Sequence, residues 1–171
     1  HSSAKVISKF LDIKFDKGNK YFPPTSFQIS NINAGTGVDN VIPADIKLAF
    51  NIRYSTETNA DEIKRKITDI IESEKIKYEM VWKHSGEPFL TSDEEFMDIC
   101  KQSIRSVTNQ DTIVSTNGGT SDGRFMAKVC NQIIELGLTN RSIHKINESI
   151  RLNDLEKLKN IYQNILARVF K

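Results

Sequence analysis

A chain of 171 residues with 38% hydrophobic and 27% charged side chains suits one domain or two small ones, with length enough for a core. Its 24 basic and 22 acidic side chains leave a net charge of +2 and are interspersed, so no broad field invites nucleic acid or an acidic membrane. No apolar stretch approaches the ~20 residues that span a bilayer. The opening His1-Ser2-Ser3-Ala4-Lys5 also lacks the apolar core and cleavage pattern of a secretory signal, so a cytoplasmic protein is expected.

Val6, Phe10, Leu11 and Ile13 predict a short amphipathic helix at the start. Phe22-Pro23-Pro24 enforces an extended entry to a strand over residues 25–33, where Phe27, Ile29 and Ile32 are apolar. Residues 34–40 form a loop. Ile46, Leu48, Phe50 and Ile52 alternate with Lys47, Ala49, Asn51 and Arg53, the clearest half-buried strand in the chain. Thr58 or Asn59 caps a helix whose stripe is Ile63, Ile67, Ile70 and Ile71. Tyr78, Met80 and Trp82 predict a further strand.

Gly86-Glu87-Pro88 breaks the pattern and marks a domain boundary. Ser92 and Glu95 read as a capping box before a helix that buries Phe96, Ile99, Cys100 and Ile104. Residues 112–115 and 132–136 read as short strands, and residues 125–129 as a brief helix. Asn153 is expected to cap a last helix that turns Leu155, Leu158, Ile161, Tyr162, Ile165, Leu166 and Val169 inward. The first part therefore reads as α+β, a small antiparallel sheet with helices on one face, and the second as an α/β layer. Two strands alone cannot make a stable sheet, so the second part looks like half of a domain. Cys100 and Cys130 lack metal-type spacing and are expected to be buried, reduced thiols.

Two segments carry the candidate chemistry. Asn117-Gly118-Gly119-Thr120-Ser121-Asp122-Gly123-Arg124 can bring backbone N–H groups close to an anionic ligand. It is no phosphate loop, because Arg124-Phe125 stands where that motif needs lysine and a hydroxyl. Ser142-Ile143-His144-Lys145-Ile146-Asn147-Glu148 offers one histidine, and one imidazole cannot hold a metal by itself. A helix would put His144 and Glu148 on one face. Arg53 ends its strand on the polar side, as a solvated charge or as a guanidinium fork for a carboxylate.

Several motifs occur in order: Phe22-Pro23-Pro24-Thr25-Ser26, Asn33-Ala34-Gly35-Thr36-Gly37, Asn40-Val41-Ile42-Pro43, Phe50-Asn51-Ile52-Arg53, Ser85-Gly86-Glu87-Pro88-Phe89-Leu90-Thr91, Gly118 to Phe125, and Ile143-His144-Lys145-Ile146-Asn147-Glu148. With them the chain resembles the C-terminal part of the succinyl-diaminopimelate desuccinylase family, bacterial two-zinc amidohydrolases. The resemblance covers essentially the whole chain. It implies a ferredoxin-like antiparallel lid that dimerises, residues 1–88 with its first strand absent. Residues 89–171 would be the closing portion of an α/β/α zinc-peptidase-like catalytic domain.

The activity so implied is hydrolysis of N-succinyl-L,L-diaminopimelate to succinate and L,L-diaminopimelate by a homodimer with a dinuclear zinc-activated water, cobalt being an alternative metal. By motif, His144 resembles the metal-binding histidine that follows the lid. Gly119, Thr120 and Asn140 resemble substrate-carboxylate contacts, and Arg53 and Asn40 lid residues that grip substrate across the dimer. Asp39 departs from the pattern, which has a neutral residue there. The other metal ligands, the general-base glutamate and the lid's oxyanion histidine belong to sequence before His1. No catalytic residue is therefore expected within this chain, which by itself should be inactive. The rivals are a related acetylornithine deacetylase or carboxypeptidase, and a non-catalytic dimerisation module on the same scaffold.

Overall fold

The computed structural model describes residues 1–117, 121–139 and 141–171. In chain order the elements are α1 (Ser2–Leu11), β1 (Ser26–Ala34), β2 (Ile46–Arg53), α2 (Ala60–Ser73), α3 (Glu94–Thr108), α4 (Gly123–Met126) and α5 (Leu152–Val169). They fall into two compact units, residues 1–88 and 89–171. The architecture is mixed α+β, with a two-stranded antiparallel sheet and helices.

In the first unit β1 and β2 pair from Ser26↔Arg53 to Ala34↔Ile46, with an irregularity between Ile29 and Asn31. That bulge explains why the apolar positions of β1 run 27, 29 and then 32: one extra residue shifts the phase and sets Ile32 opposite Leu48. Phe27, Phe50 and Ile52 pack on Val6, Phe10, Ile63, Ile67 and Ile71 from the two helices. Rings run through this core, Phe10 to Phe27 at 5.1 Å, Phe27 to Phe50 at 5.0 Å and Phe50 to Trp82 edge-on at 5.7 Å. Asn59 caps α2 by accepting from the Glu62 N–H at 2.9 Å, and acidic Asp61 and Glu62 complement the helix dipole there.

A polar knot ties the loop after α1 to both strands. Asp16 Oδ1 accepts the Gly18 N–H at 2.7 Å and the Thr25 N–H at 3.1 Å. The Thr25 hydroxyl accepts the Ser55 N–H at 3.0 Å, and Ser55 Oγ accepts the Glu57 N–H at 3.1 Å. Thr25 and Ser55 are buried, so these bonds satisfy backbone donors that water cannot reach.

The strand expected at Tyr78, Met80 and Trp82 is not formed. Met80 and Trp82 do pack against the core, but packing needs only apolar side chains, whereas a strand needs a partner edge, and the sheet holds β1 and β2 alone among the described residues.

In the second unit α3 and α5 bury Cys100, Ile161 and Ile165, with Phe96, Ile99, Ile104, Val107, Ile134 and Leu136 packed around them. The cap of α3 is Asp93, whose side chain accepts the Phe96 N–H at 2.9 Å, not Ser92: the helix begins one residue later than the capping-box spacing implied. Asn109 closes α3 in the left-handed conformation, φ +54°. The cap of α5 is Arg151, without a side-chain bond, and Asn153 lies inside the first turn. Of its expected inward face only Ile161 and Ile165 are buried; Leu155, Tyr162, Leu166 and Val169 are exposed.

The α/β layer expected here is absent among the described residues, and so are its strands at 112–115 and 132–136. Ile113 is 91% exposed, and residues 112–115 pair with no strand among the described residues. Ile133 pairs instead with a side chain, its N–H donating to Thr91 Oγ1 at 2.8 Å and its carbonyl accepting from the same hydroxyl at 2.5 Å. Both cysteines are free. Cys100 is buried, and burial pushes its thiol pKa up, but Cys130 is exposed, contrary to expectation. No helix is long and apolar enough to cross a membrane among the described residues.

Candidate functional site

Arg53 is the last residue of β2, opposite Ser26, with its side chain exposed. Its neighbour Ile52 packs on the core, so alternation turns Arg53 to the open face of the sheet. No ion pair engages its guanidinium among the described residues, which leaves the fork available to a carboxylate. Asn40 lies in the exposed loop between the strands, where Gly35 and Gly37 take φ +81° and +83°, values that favour glycine. That loop is rooted at Ala34 and Ile46, and Arg53 lies at the far end of β2, about 23 Å along the strand at ~3.3 Å per residue. The hairpin thus does not bring the root of the Asn40 loop beside Arg53.

His144 sits in a tight turn of the second unit rather than on a helix. Ser142 closes that turn, its hydroxyl accepting the Ser149 N–H at 2.9 Å and donating to the Ser149 carbonyl at 3.0 Å. Inside it His144 and Asn147 both take left-handed backbone, φ +61° and +62°. The His144 N–H donates to Glu148 Oε2 at 3.2 Å, leaving the imidazole exposed. A non-glycine residue held at positive φ is strained by about 1 kcal/mol or more, and such strain concentrates at functional positions. No sequence pattern announced it.

Gly119, Thr120 and Asn140 lie outside the described residues. Just after the first two, Ser121 Oγ accepts the Gly123 N–H at 3.0 Å. A Cβ on Gly123 would come within 2.6 Å of Glu135 Oε1 and 2.9 Å of the Phe89 ring, so a larger residue there would have to push these side-chain ends aside. A cleft of about 340 Å³ opens nearby, lined by residues including Phe89, Thr91, Cys130 and Ile133. Among the described residues, His144 does not line it. Among the described residues no group of three or more His, Cys, Asp or Glu side chains is placed to hold a metal ion. His144 alone does not amount to a metal centre.

One polar cluster escaped the sequence reading. Tyr54, directly after Arg53, donates its hydroxyl to Glu87 Oε2 at 2.6 Å, with His84 Nε2 at 2.8 Å and the Gly86 carbonyl at 3.1 Å. Burial, then the bond to Glu87 and its negative charge, push the Tyr54 pKa well above the ordinary phenol value. Thirty or so positions separate these partners, and no local periodicity pairs them.

The sequence pattern of Peptidase family M20/M25/M40 matches residues 8–168, and the chain belongs to this family. Its members are generally metal-dependent enzymes of small-molecule substrates. The chain is 46% identical over 169 residues to the succinyl-diaminopimelate desuccinylase of Acinetobacter baylyi, covering 99% of this chain and 45% of that protein. The Psychrobacter arcticus desuccinylase is 47% identical over 173 residues, covering 99% and 42%. That of Thioalkalivibrio sulfidiphilus is 46% identical over 169 residues, covering 99% and 45%. The chain thus spans less than half the length of these curated relatives, and the resemblance read from its motifs holds from end to end.

Proposed function

We propose that this chain is the C-terminal part of a succinyl-diaminopimelate desuccinylase, which hydrolyses N-succinyl-L,L-diaminopimelate to succinate and L,L-diaminopimelate. The observation that carries the reading is the identity of 46% across 99% of the chain. It favours this substrate over the acetylornithine and carboxypeptidase alternatives and over a non-catalytic module. In this reading residues 1–88 are the lid of a cytoplasmic homodimer, the two-stranded sheet being what this chain holds of a ferredoxin-like layer. Residues 89–171 close the catalytic domain.

His144 supplies one ligand to a zinc or cobalt centre completed by residues outside this chain. Its exposed imidazole on a strained, hydroxyl-clasped turn supports the role. Arg53 would grip a substrate carboxylate, a pairing in which the planar fork makes two parallel bonds. Asn40, Gly119, Thr120 and Asn140 would add polar contacts to the same substrate.

The test is His144→Ala in the complete enzyme. Bound metal should fall, and hydrolysis of the succinylated substrate should drop by more than the roughly 100-fold that loss of an outer-shell partner costs. Unchanged metal content would reject the ligand role. Faster hydrolysis of an N-acetylated amino acid than of the succinylated one would reject the substrate.

A further inference from the structure

We infer that Tyr54 is a positioning residue that clamps residues 84–87 to the end of β2 and so holds the last stretch of the first unit rigid. Trp82 is the last apolar anchor of the first unit, seated edge-on against Phe50. Beyond it, residues 83–88 form neither helix nor strand and make no backbone–backbone hydrogen bond among the described residues. A stretch of that kind is by default a loose link. Here three of its residues converge on one phenol instead.

The hydroxyl has a single proton, and the shortest contact, to Glu87 Oε2 at 2.6 Å, takes it. The phenol oxygen then accepts from His84 Nε2 at 2.8 Å. His84 Nε2 also lies 3.1 Å from the Gly86 carbonyl and 3.4 Å from Glu87 Oε1, so the cluster is cross-braced. The post itself is firm, because the Tyr54 ring packs against the core of the first unit. The raised pKa keeps the phenol a donor throughout the neutral range. Pro88 follows at once and confines Glu87 to extended backbone.

Tyr54 adjoins Arg53 in sequence, so the strand end that presents the guanidinium also anchors residues 84–87. The inference stands whichever substrate the enzyme takes.

The test is ¹⁵N relaxation on the 171-residue chain, comparing wild type with Tyr54→Phe, Glu87→Ala and Glu87→Gln. Tyr54→Phe keeps the ring in the core, and Glu87 is exposed and outside it, so the Glu87 variants probe the clamp even if the tyrosine variant fails to fold. In the wild type, residues 84–87 should show order parameters near the ~0.85 of rigid backbone. Tyr54→Phe and Glu87→Ala should drop them below ~0.6, while Glu87→Gln, which keeps an acceptor, retains most of the order. Trypsin should cut after Lys83 several-fold faster in the two loosened variants. Residues 84–87 already mobile in the wild type, or equally rigid in every variant, would overturn the inference. So would loosening that spreads equally through α1 and α2, which would make Tyr54 a packing residue only.

Discussion

Replacing Asp16 by alanine removes the acceptor at the centre of the polar knot in the first unit. Its Oδ1 takes two backbone N–H bonds, from Gly18 at 2.7 Å and Thr25 at 3.1 Å. Bonds to a charged acceptor contribute about 1.5–3 kcal/mol each when buried. Asp16 is only partly buried, so solvent screening brings the pair to about 2–3 kcal/mol. Asp16→Asn keeps an oxygen in place without its charge and should cost about 1 kcal/mol. Trp82 is the sole tryptophan and packs on Phe50, so its fluorescence reports the unfolding of the first unit alone. With a urea slope of about 1–3 kcal/mol/M, Asp16→Ala should lower the midpoint by about 1–2 M.

The dependence on pH has a definite sign. Burial is the largest single influence on Asp16 and raises its pKa, but the bonds from Thr25, Gly18 and Ser55 together outweigh it and hold the value below the ordinary 3.8. The carboxylate's contribution is therefore full above that value and lost as pH falls through the lower, folded one. The gap between wild type and Asp16→Asn should be constant near neutrality and narrow below about pH 4. A midpoint shift equivalent to less than about 0.5 kcal/mol for Asp16→Ala, or a gap undiminished at pH 3, would refute the reasoning.

Gly18→Ala should cost at least about 2 kcal/mol by the same fluorescence assay. Gly18 sits at φ +68°, and a Cβ there would lie 2.5 Å from the Phe22 carbonyl oxygen, backbone that cannot swing aside. At the start of α3, Asp93→Ala should lose about 1 kcal/mol of stability in urea melts followed by circular dichroism, and Ser92→Ala less than about 0.5, because the bond to the Phe96 N–H belongs to Asp93. Thiol titration with a chromogenic disulfide should count Cys130 at once and Cys100 only after denaturant is added; two fast thiols would mean that the α3–α5 contact does not form.

What could be read locally was read well where burial follows an element's own period. The alternation of Ile46, Leu48, Phe50 and Ile52 declared β2, and the stripes of Ile63, Ile67 and Ile71 and of Phe96, Ile99 and Cys100 declared α2 and α3, since each repeat reports one face of one element. The motifs around Arg53, Gly119 and His144 were enough to place the chain in its family.

The segments around residues 80, 113 and 134 misled, because an apolar pattern shows only that side chains can be buried. A strand also needs a partner edge, and whether one exists is decided elsewhere in the chain. The choice of Asp93 over Ser92 turned on where α3 begins. The clamp on Tyr54, the knot on Asp16 and the left-handed backbone at His144 were legible nowhere in the linear pattern. By itself the sequence settled the main helices, the β1–β2 pairing and the kinship; the tertiary structure alone decided which polar groups meet. Periodicity is a property of neighbours along the chain, whereas a hydrogen bond between residues 54 and 87 exists only once folding has carried both ends to one place.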